Sequence, residues 1–167
     1  MAKKFRVAAQ MFGFRDYIQT PEDVKKTLAK VKKMGYDYIQ ISGFGPIPPA
    51  ELRKLCDEAG VEPIGAHIGL QRFREDEAGV IAECKALGIT YVAIPWLPCK
   101  DYTTLAAWKK LSKEFAGYAK RFAKEGIVVQ YHNHDFEFEK FGIKKGKGGK
   151  TILDMLYEGT EILQSEL

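Results

Sequence analysis

The sequence predicts an α/β domain built on a parallel sheet, and three observations carry that prediction. Strand-like and helix-like runs alternate along the chain. The strand-like runs begin at 5, 36, 62, 90 and 127, so one unit recurs about every 30 residues. Several of the helix-like runs end on a glycine, the residue that tolerates the left-handed turn closing a helix. Parallel neighbours cannot be joined by a tight hairpin turn and need a crossover, which is usually a helix. No sequence repeat accompanies the period, so it is a feature of architecture and not of a solenoid. At 167 residues, with 46% hydrophobic and 12% aromatic residues, the chain fits one domain spanning 1–167 with a real core.

The first strand is read over 5–12, FRVAAQMF. Thr20 then suits an N-cap, followed by Pro21 at the first helical position and Glu22 and Asp23 in the first turn. Val24, Leu28, Val31 and Met34 give that helix one apolar face, and Gly35 stops it. The second strand is 36–42 and the second helix 48–60, again ending in glycine. A third strand at 62–69 leads to a helix over 74–88, closed by Gly88. A fourth strand at 90–97 leads to the long helix 105–126. The fifth strand, 127–134, is the most strand-like segment, and 151–160 reads as a shorter helix. Residues 161–167 begin what reads as a sixth strand.

Composition excludes several classes of function. No apolar run approaches the roughly 20 residues of a membrane span, and the mixed N-terminal stretch with Arg6 and Arg15 makes a poor secretory leader. The three cysteines, Cys56, Cys84 and Cys99, are odd in number and lack paired spacing. Reduced thiols in a cytoplasmic protein are therefore expected. The chain carries 26 basic and 22 acidic residues. Five of the lysines, Lys140, Lys144, Lys145, Lys147 and Lys150, fall in one acid-free segment, and without them the count is 21 against 22. The positive charge is thus local, a solvated hairpin tip, and no nucleic-acid or membrane partner is expected.

The chemistry concentrates in YHNHDFEFE, 131–139, at the carboxyl end of the fifth strand. Alternation along a strand puts Gln130, His132 and His134 on one face. Parallel α/β folds place their sites at this end of the strands. With Asp135, Glu137 and Glu139 close behind, imidazole and carboxylate suit a divalent ion such as Zn²⁺ or Mn²⁺. The competing reading makes both histidines hydrogen-bonded structural residues. His67, flanked by Gly65, Ala66 and Gly69, is either a pocket residue or a structural histidine. Trp96, after the fourth strand, is either the wall of a sugar pocket or a rim residue over the core. Arg72 and Arg74 stand in the loop after the third strand, as anion partners or solvated charges.

Two further motifs fail. Gly148-Gly149-Lys150-Thr151 resembles the end of a phosphate-binding loop, but Lys144 stands where its first glycine belongs. The serines Ser42, Ser112 and Ser165 sit in no nucleophile elbow. Fold class is left between two parallel architectures. A doubly wound sheet suits the length but lacks the glycine-rich first turn; a complete βα barrel suits the motifs but needs about 250 residues.

The segments YDYIQISGFG, GAHIGL, GITYVAIPWLP and VVQYHNHDFEFE, in this order and spacing, resemble the sugar phosphate isomerase/epimerase family of the xylose isomerase-like TIM-barrel superfamily. The resemblance implies a parallel (β/α) barrel, here a partial one of about five to six βα units. It implies a divalent metal ion, Mn or Zn, and a small-molecule sugar or sugar phosphate isomerised or epimerised by proton transfer next to a carbonyl. Carried onto this chain, His132, His134 and Glu137 are the fifth-strand contribution to the site. The metal ligands are then His134 and Glu137, with Glu137 also the catalytic carboxylate, and the substrate contacts are His67, Trp96 and His132. The family's later ligands, an Asp, a His and a Glu on the following strands, are expected beyond Leu167, as in a C-terminally truncated chain. Self-association to cover open sheet edges is a further expectation. Two alternatives stand beside this reading. One is a non-catalytic sugar-binding or structural remnant; the other is an abasic-site endonuclease of the same superfamily, whose basic surface this chain does not supply.

Overall fold

The computed structural model describes residues 6–98, 101–140, 149–158, 160 and 162–166. Six strands form one sheet: β1 (Ala8–Gln10), β2 (Tyr38–Ile41), β3 (Glu62–His67), β4 (Tyr91–Ile94), β5 (Val128–His132) and β6 (Gln164–Glu166). Six helices lie between them: α1 (Pro21–Lys33), α2 (Pro49–Ala59), α3 (Leu70–Glu75), α4 (Glu77–Leu87), α5 (Leu105–Lys124) and α6 (Ile152–Tyr157). Every neighbouring pair of strands is parallel, and the spatial order is the sequence order. A doubly wound sheet reverses its strand order at a switch point. This one does not reverse, so right-handed crossovers put every helix on the same face. The length of the chain suited a doubly wound sheet and the motifs a barrel; the strand order decides for a curled half-barrel.

The core lies between the helices and the convex face of the sheet. Ile39, Ile41, Val92, Ile94, Val129 and Tyr131 alternate outward from the strands and are buried. Trp108, Phe115 and Phe122 of α5 cover them, and Phe73 of α3 stacks on Phe122 with ring centres 5.3 Å apart. Cys56 and Cys84 are buried free thiols whose pKa is pushed up to about 12, chiefly by burial, so they act as small apolar side chains. Cys99 lies outside the described residues.

Local signals fix most boundaries. The Thr20 hydroxyl accepts from the Asp23 N–H at the start of α1, and Gly60 and Gly88 close α2 and α4 in the left-handed region, at φ 68° and 70°. Two segments depart from the sequence reading. Only Ala8–Gln10 of the first strand is extended, because the Gln10 side chain accepts from the Phe12 N–H and turns Met11–Tyr17 into a 3-10 helix. The helix read over 74–88 is instead two. Asp76 is non-helical, and its carboxylate accepts from the Gly79 N–H, ending α3 and capping α4. The lysine-rich segment is bridged at its base between Lys140 and Thr151, while 141–148, and with them Lys144, Lys145, Lys147 and Gly148, lie outside the described residues. No helix among the described residues is long and apolar enough to cross a membrane.

Arg74 is a structural clamp and not a free anion partner. Its guanidinium forks onto Glu114 at 2.7 and 2.9 Å and donates to the Tyr102 hydroxyl, tying α3 to α5 and to the segment after β4. The Arg74 bonds hold the Glu114 carboxyl below the usual carboxylate range, against the upward pull of burial. On acidification the unfolded chain therefore takes up this proton first. The pair's contribution is full above about pH 4.5 and is lost as pH falls through the folded value. Urea midpoints of the wild type and Glu114→Gln should differ at pH 7 and converge toward pH 3. A gap that stays constant across that range would show that the pair contributes no ionic stabilisation.

Candidate functional site

The concave face of the sheet carries what the helices do not cover. Strand alternation turns Gln40 of β2, His67 of β3, His132 of β5 and Glu166 of β6 onto this face, toward the carboxyl ends of the strands. His132 and Glu166 are register partners. His67, His132 and Glu166 each bring one ligand atom to within 4.8 Å of the others. His67 Nε2 lies 2.8 Å from Glu166 Oε1, and His132 Nδ1 lies 3.4 Å from the same oxygen.

Strand β2 orients this group. The Gln40 amide donates to Glu166 Oε1 at 2.9 Å, and the Ser42 hydroxyl lies 3.2 Å from His67 Nδ1. A hydroxyl both donates and accepts, so Ser42 can hold His67 whichever ring nitrogen carries the proton. Burial works against the charge on Glu166, but the hydrogen bonds from His67 and Gln40 hold its carboxyl below the usual carboxylate range. Burial, and after it the neighbouring His67, push the His132 imidazole below its ordinary value. The cluster at neutral pH is thus one carboxylate beside a neutral imidazole with a lone pair to give.

A divalent ion fits this donor set. His132 Nδ1 and Glu166 Oε2 are buried, and neither makes a hydrogen bond. An unsatisfied buried polar atom costs about 1–3 kcal/mol, so two of them on one small cluster call for a partner. Two imidazoles and a carboxylate suit zinc or manganese.

The structure distributes the sequence-predicted residues unevenly. His67 and His132, read from the sequence as substrate contacts, lie inside the converging group. His134 stands beside it, its ring 5.1 Å from that of His132 and stacked on Phe136. Glu137 is fully buried in a short 3-10 turn, where it accepts from the Tyr131 hydroxyl and, at 2.8 Å, from the His134 N–H. Both of its oxygens are engaged in fixing the end of β5. Trp96 follows β4 and is 56% exposed. Gln40, Ser42 and Glu166 went unread as site residues. Period-two alternation in YIQIS and LQSE was the signal available for them.

No model of a known family matches the chain, and no curated protein matches it. Solved structures do. Two sugar phosphate isomerase/epimerase structures from Parabacteroides distasonis superpose with TM-scores of 0.80 and 0.76 at 20% and 24% identity. They match over 100% and 98% of this chain, which spans 67% and 68% of theirs. An AP endonuclease family 2 structure from Brucella melitensis matches 97% of this chain and 67% of its own, with TM-score 0.64 and 12% identity. More distant structures of the same kind include the IOLI protein with a bound zinc atom and a Mycobacterium smegmatis protein in complex with magnesium. The sequential parallel sheet and these superpositions together show that the chain has the xylose isomerase-like TIM-barrel fold, as a six-stranded part of that barrel.

Proposed function

We propose that the protein is a metal-dependent isomerase or epimerase of sugars that works by moving a proton at the carbon next to a carbonyl. The observation that carries this reading is the convergence of His67, His132 and Glu166 at the carboxyl ends of three strands, with two buried atoms that make no hydrogen bond. The names of the structural neighbours support the reaction class.

His67, His132 and Glu166 would hold the ion. When bound, it supplies Lewis acidity, drawing electron density from a sugar carbonyl and its adjacent hydroxyl and so acidifying the intervening C–H. The remaining steps belong to side chains. Gln40 and Ser42 keep the ligand atoms aimed, as outer partners of metal ligands do. His134, beside the ligand group, is assigned the transfer of the proton. Glu137 acts through it, by accepting from the main-chain N–H of His134 and fixing the backbone that presents the imidazole. Trp96 offers an exposed aromatic face on which the C–H surface of a sugar can pack.

The test is solvent exchange. Protein loaded with Mn²⁺ is incubated in D₂O with a panel of ketoses and their phosphate esters, and deuterium at the carbons flanking the carbonyl is followed by NMR. Incorporation that requires both protein and metal is expected. Absence of incorporation across the panel, from protein shown to hold Mn²⁺, would sink the reading.

A further inference from the structure

A cavity of about 430 Å³ lies between α5 and α6, on the helical side of the sheet. It shares no residue with the His67–His132–Glu166 group on the concave face. The two helices that form it differ in length, 20 residues in α5 and 6 in α6. They are fastened where α6 stops, with the buried Ser112 hydroxyl donating to the Glu158 carbonyl oxygen at 2.9 Å. Ala116 and Gly117 of α5 and Met155 of α6 line the space with small or apolar surface. A Cβ on Gly117 would come 3.0 Å from Arg121 Nη1. Arg121 is itself forked onto Glu77 at 2.6 and 2.8 Å, so this position stays without a side chain.

The rest of the wall is basic. Lys109, Lys113 and Lys120 recur at helical spacing on one face of α5. Like charges four residues apart on a helix repel, and the acids on and beside α5 are bonded elsewhere. Glu114 is held by Arg74, Glu77 by Arg121, and Glu158, the acid on the cavity wall, by Lys150 at 2.7 Å. The last pair also brings Lys150 to the rim. Two lysine-rich stretches that are separate in sequence therefore meet here.

We propose that this cavity binds a small molecule bearing a diphosphate or triphosphate group. The number of charges follows from the spacing. Lys109 and Lys120 are eleven residues apart, about 16 Å of helix. One carboxylate reaches two of the ammonium groups at most, whereas linked phosphates reach all three. Lysine binds phosphate as a point charge on a flexible stem, with three donors and no acceptor. Ala116 and Gly117, between Lys113 and Lys120, leave the space in which those two stems converge. Met155 gives the organic part of the ligand an apolar surface. The volume falls within the roughly 300–1,000 Å³ of small-molecule sites.

The probes are inorganic pyrophosphate and tripolyphosphate, titrated by calorimetry into the metal-free protein. Physiological ionic strength is used, where attraction between exposed charges is screened beyond about 8 Å. Both should bind, and inorganic phosphate should bind at least about tenfold more weakly. Lys113→Gln and Lys120→Gln should each weaken pyrophosphate at least about tenfold, the loss of one charge-assisted hydrogen bond. Ala116→Leu, which fills the cavity and keeps every lysine, should do the same. Lys110→Gln, on the same helix but outside the cavity, should leave affinity within about twofold. No pyrophosphate binding at millimolar concentration would overturn the proposal. Equal losses from Lys110→Gln and Lys113→Gln, or unchanged affinity in a folded Ala116→Leu protein, would reduce the site to diffuse charge attraction and overturn it too. So would a short single-stranded RNA that binds more tightly than tripolyphosphate and is indifferent to Ala116→Leu.

Discussion

Glu166→Ala and His132→Ala should each weaken Mn²⁺ binding at least about 100-fold, a loss of roughly 2.7 kcal/mol or more. Substituting the outer partners of metal ligands typically costs 10–100-fold, and removing a ligand atom should reach at least the upper end of that range. The two atoms lost here are among those placed without a hydrogen-bond partner on the cluster. Gln40→Ala and Ser42→Ala, which leave the ligands present but unheld, should fall between the wild type and these variants. The decisive contrast is with Glu137→Gln. That carboxylate is bonded to Tyr131 and to the His134 N–H, so its amide variant should keep Mn²⁺ affinity close to that of the wild type. The reverse pattern, Glu137→Gln lost and Glu166→Ala unaffected, would restore the ligand set expected from the sequence motif. Titration with Mn²⁺ monitored by electron paramagnetic resonance reads the wild type and all five variants on one scale. Acid should also release the ion, since His132 must be unprotonated to bind it. With its imidazole held below the ordinary value, release begins only below about pH 6.5.

The second large effect is on stability. Phe122→Ala should cost about 3–5 kcal/mol, the usual range for emptying a buried phenyl site. Phe122 is fully buried on α5 and stacks on Phe73 at 27°, and Phe73 in turn meets the edge of the Tyr118 ring. The site joins α3, α5 and the convex face of the sheet, so its walls belong to three elements and cannot collapse together. Domains of this size are stable by roughly 5–15 kcal/mol, and the variant should lose a large fraction of that. Tyr17→Ala, at a residue 67% exposed, serves as the control and should stay within about 0.5 kcal/mol. Urea unfolding followed by far-ultraviolet circular dichroism measures both. A Phe122→Ala loss under about 1 kcal/mol would mean that this aromatic contact is not part of a packed core.

What the sequence showed and what it hid follow from the range of the interactions involved. Helix caps are local, and Thr20, Gly60 and Gly88 were read correctly because each acts within a few residues of itself. The break at Asp76 is also local, yet it was missed, because an Asp between Glu75 and Glu77 looks like ordinary helix surface. Strand order was hidden for a different reason. Both candidate architectures share the same alternation of elements, and only pairing distinguishes them. The histidines were visible because they are rare, three in the whole chain. Glu166 was invisible because acids are common, and its significance comes from lying against β3 and β5 in space. Glu137 drew attention by standing next to the histidines in sequence, whereas its carboxylate turns back into the protein.

The sequential strand order also sets how far along the chain each contact must reach. Each strand pairs with the strand one unit before it, so every pairing in the sheet is made across a single βα unit. The site is built the opposite way. Its hydrogen bonds join residues 99 positions apart, His67 to Glu166, and 126 apart, Gln40 to Glu166. These contacts require β6 to be docked on β5. A chain that has acquired its core can therefore still be without its chemistry. The same dependence runs in reverse: loss of β6 from β5 takes Glu166 out of the His67–His132–Glu166 group.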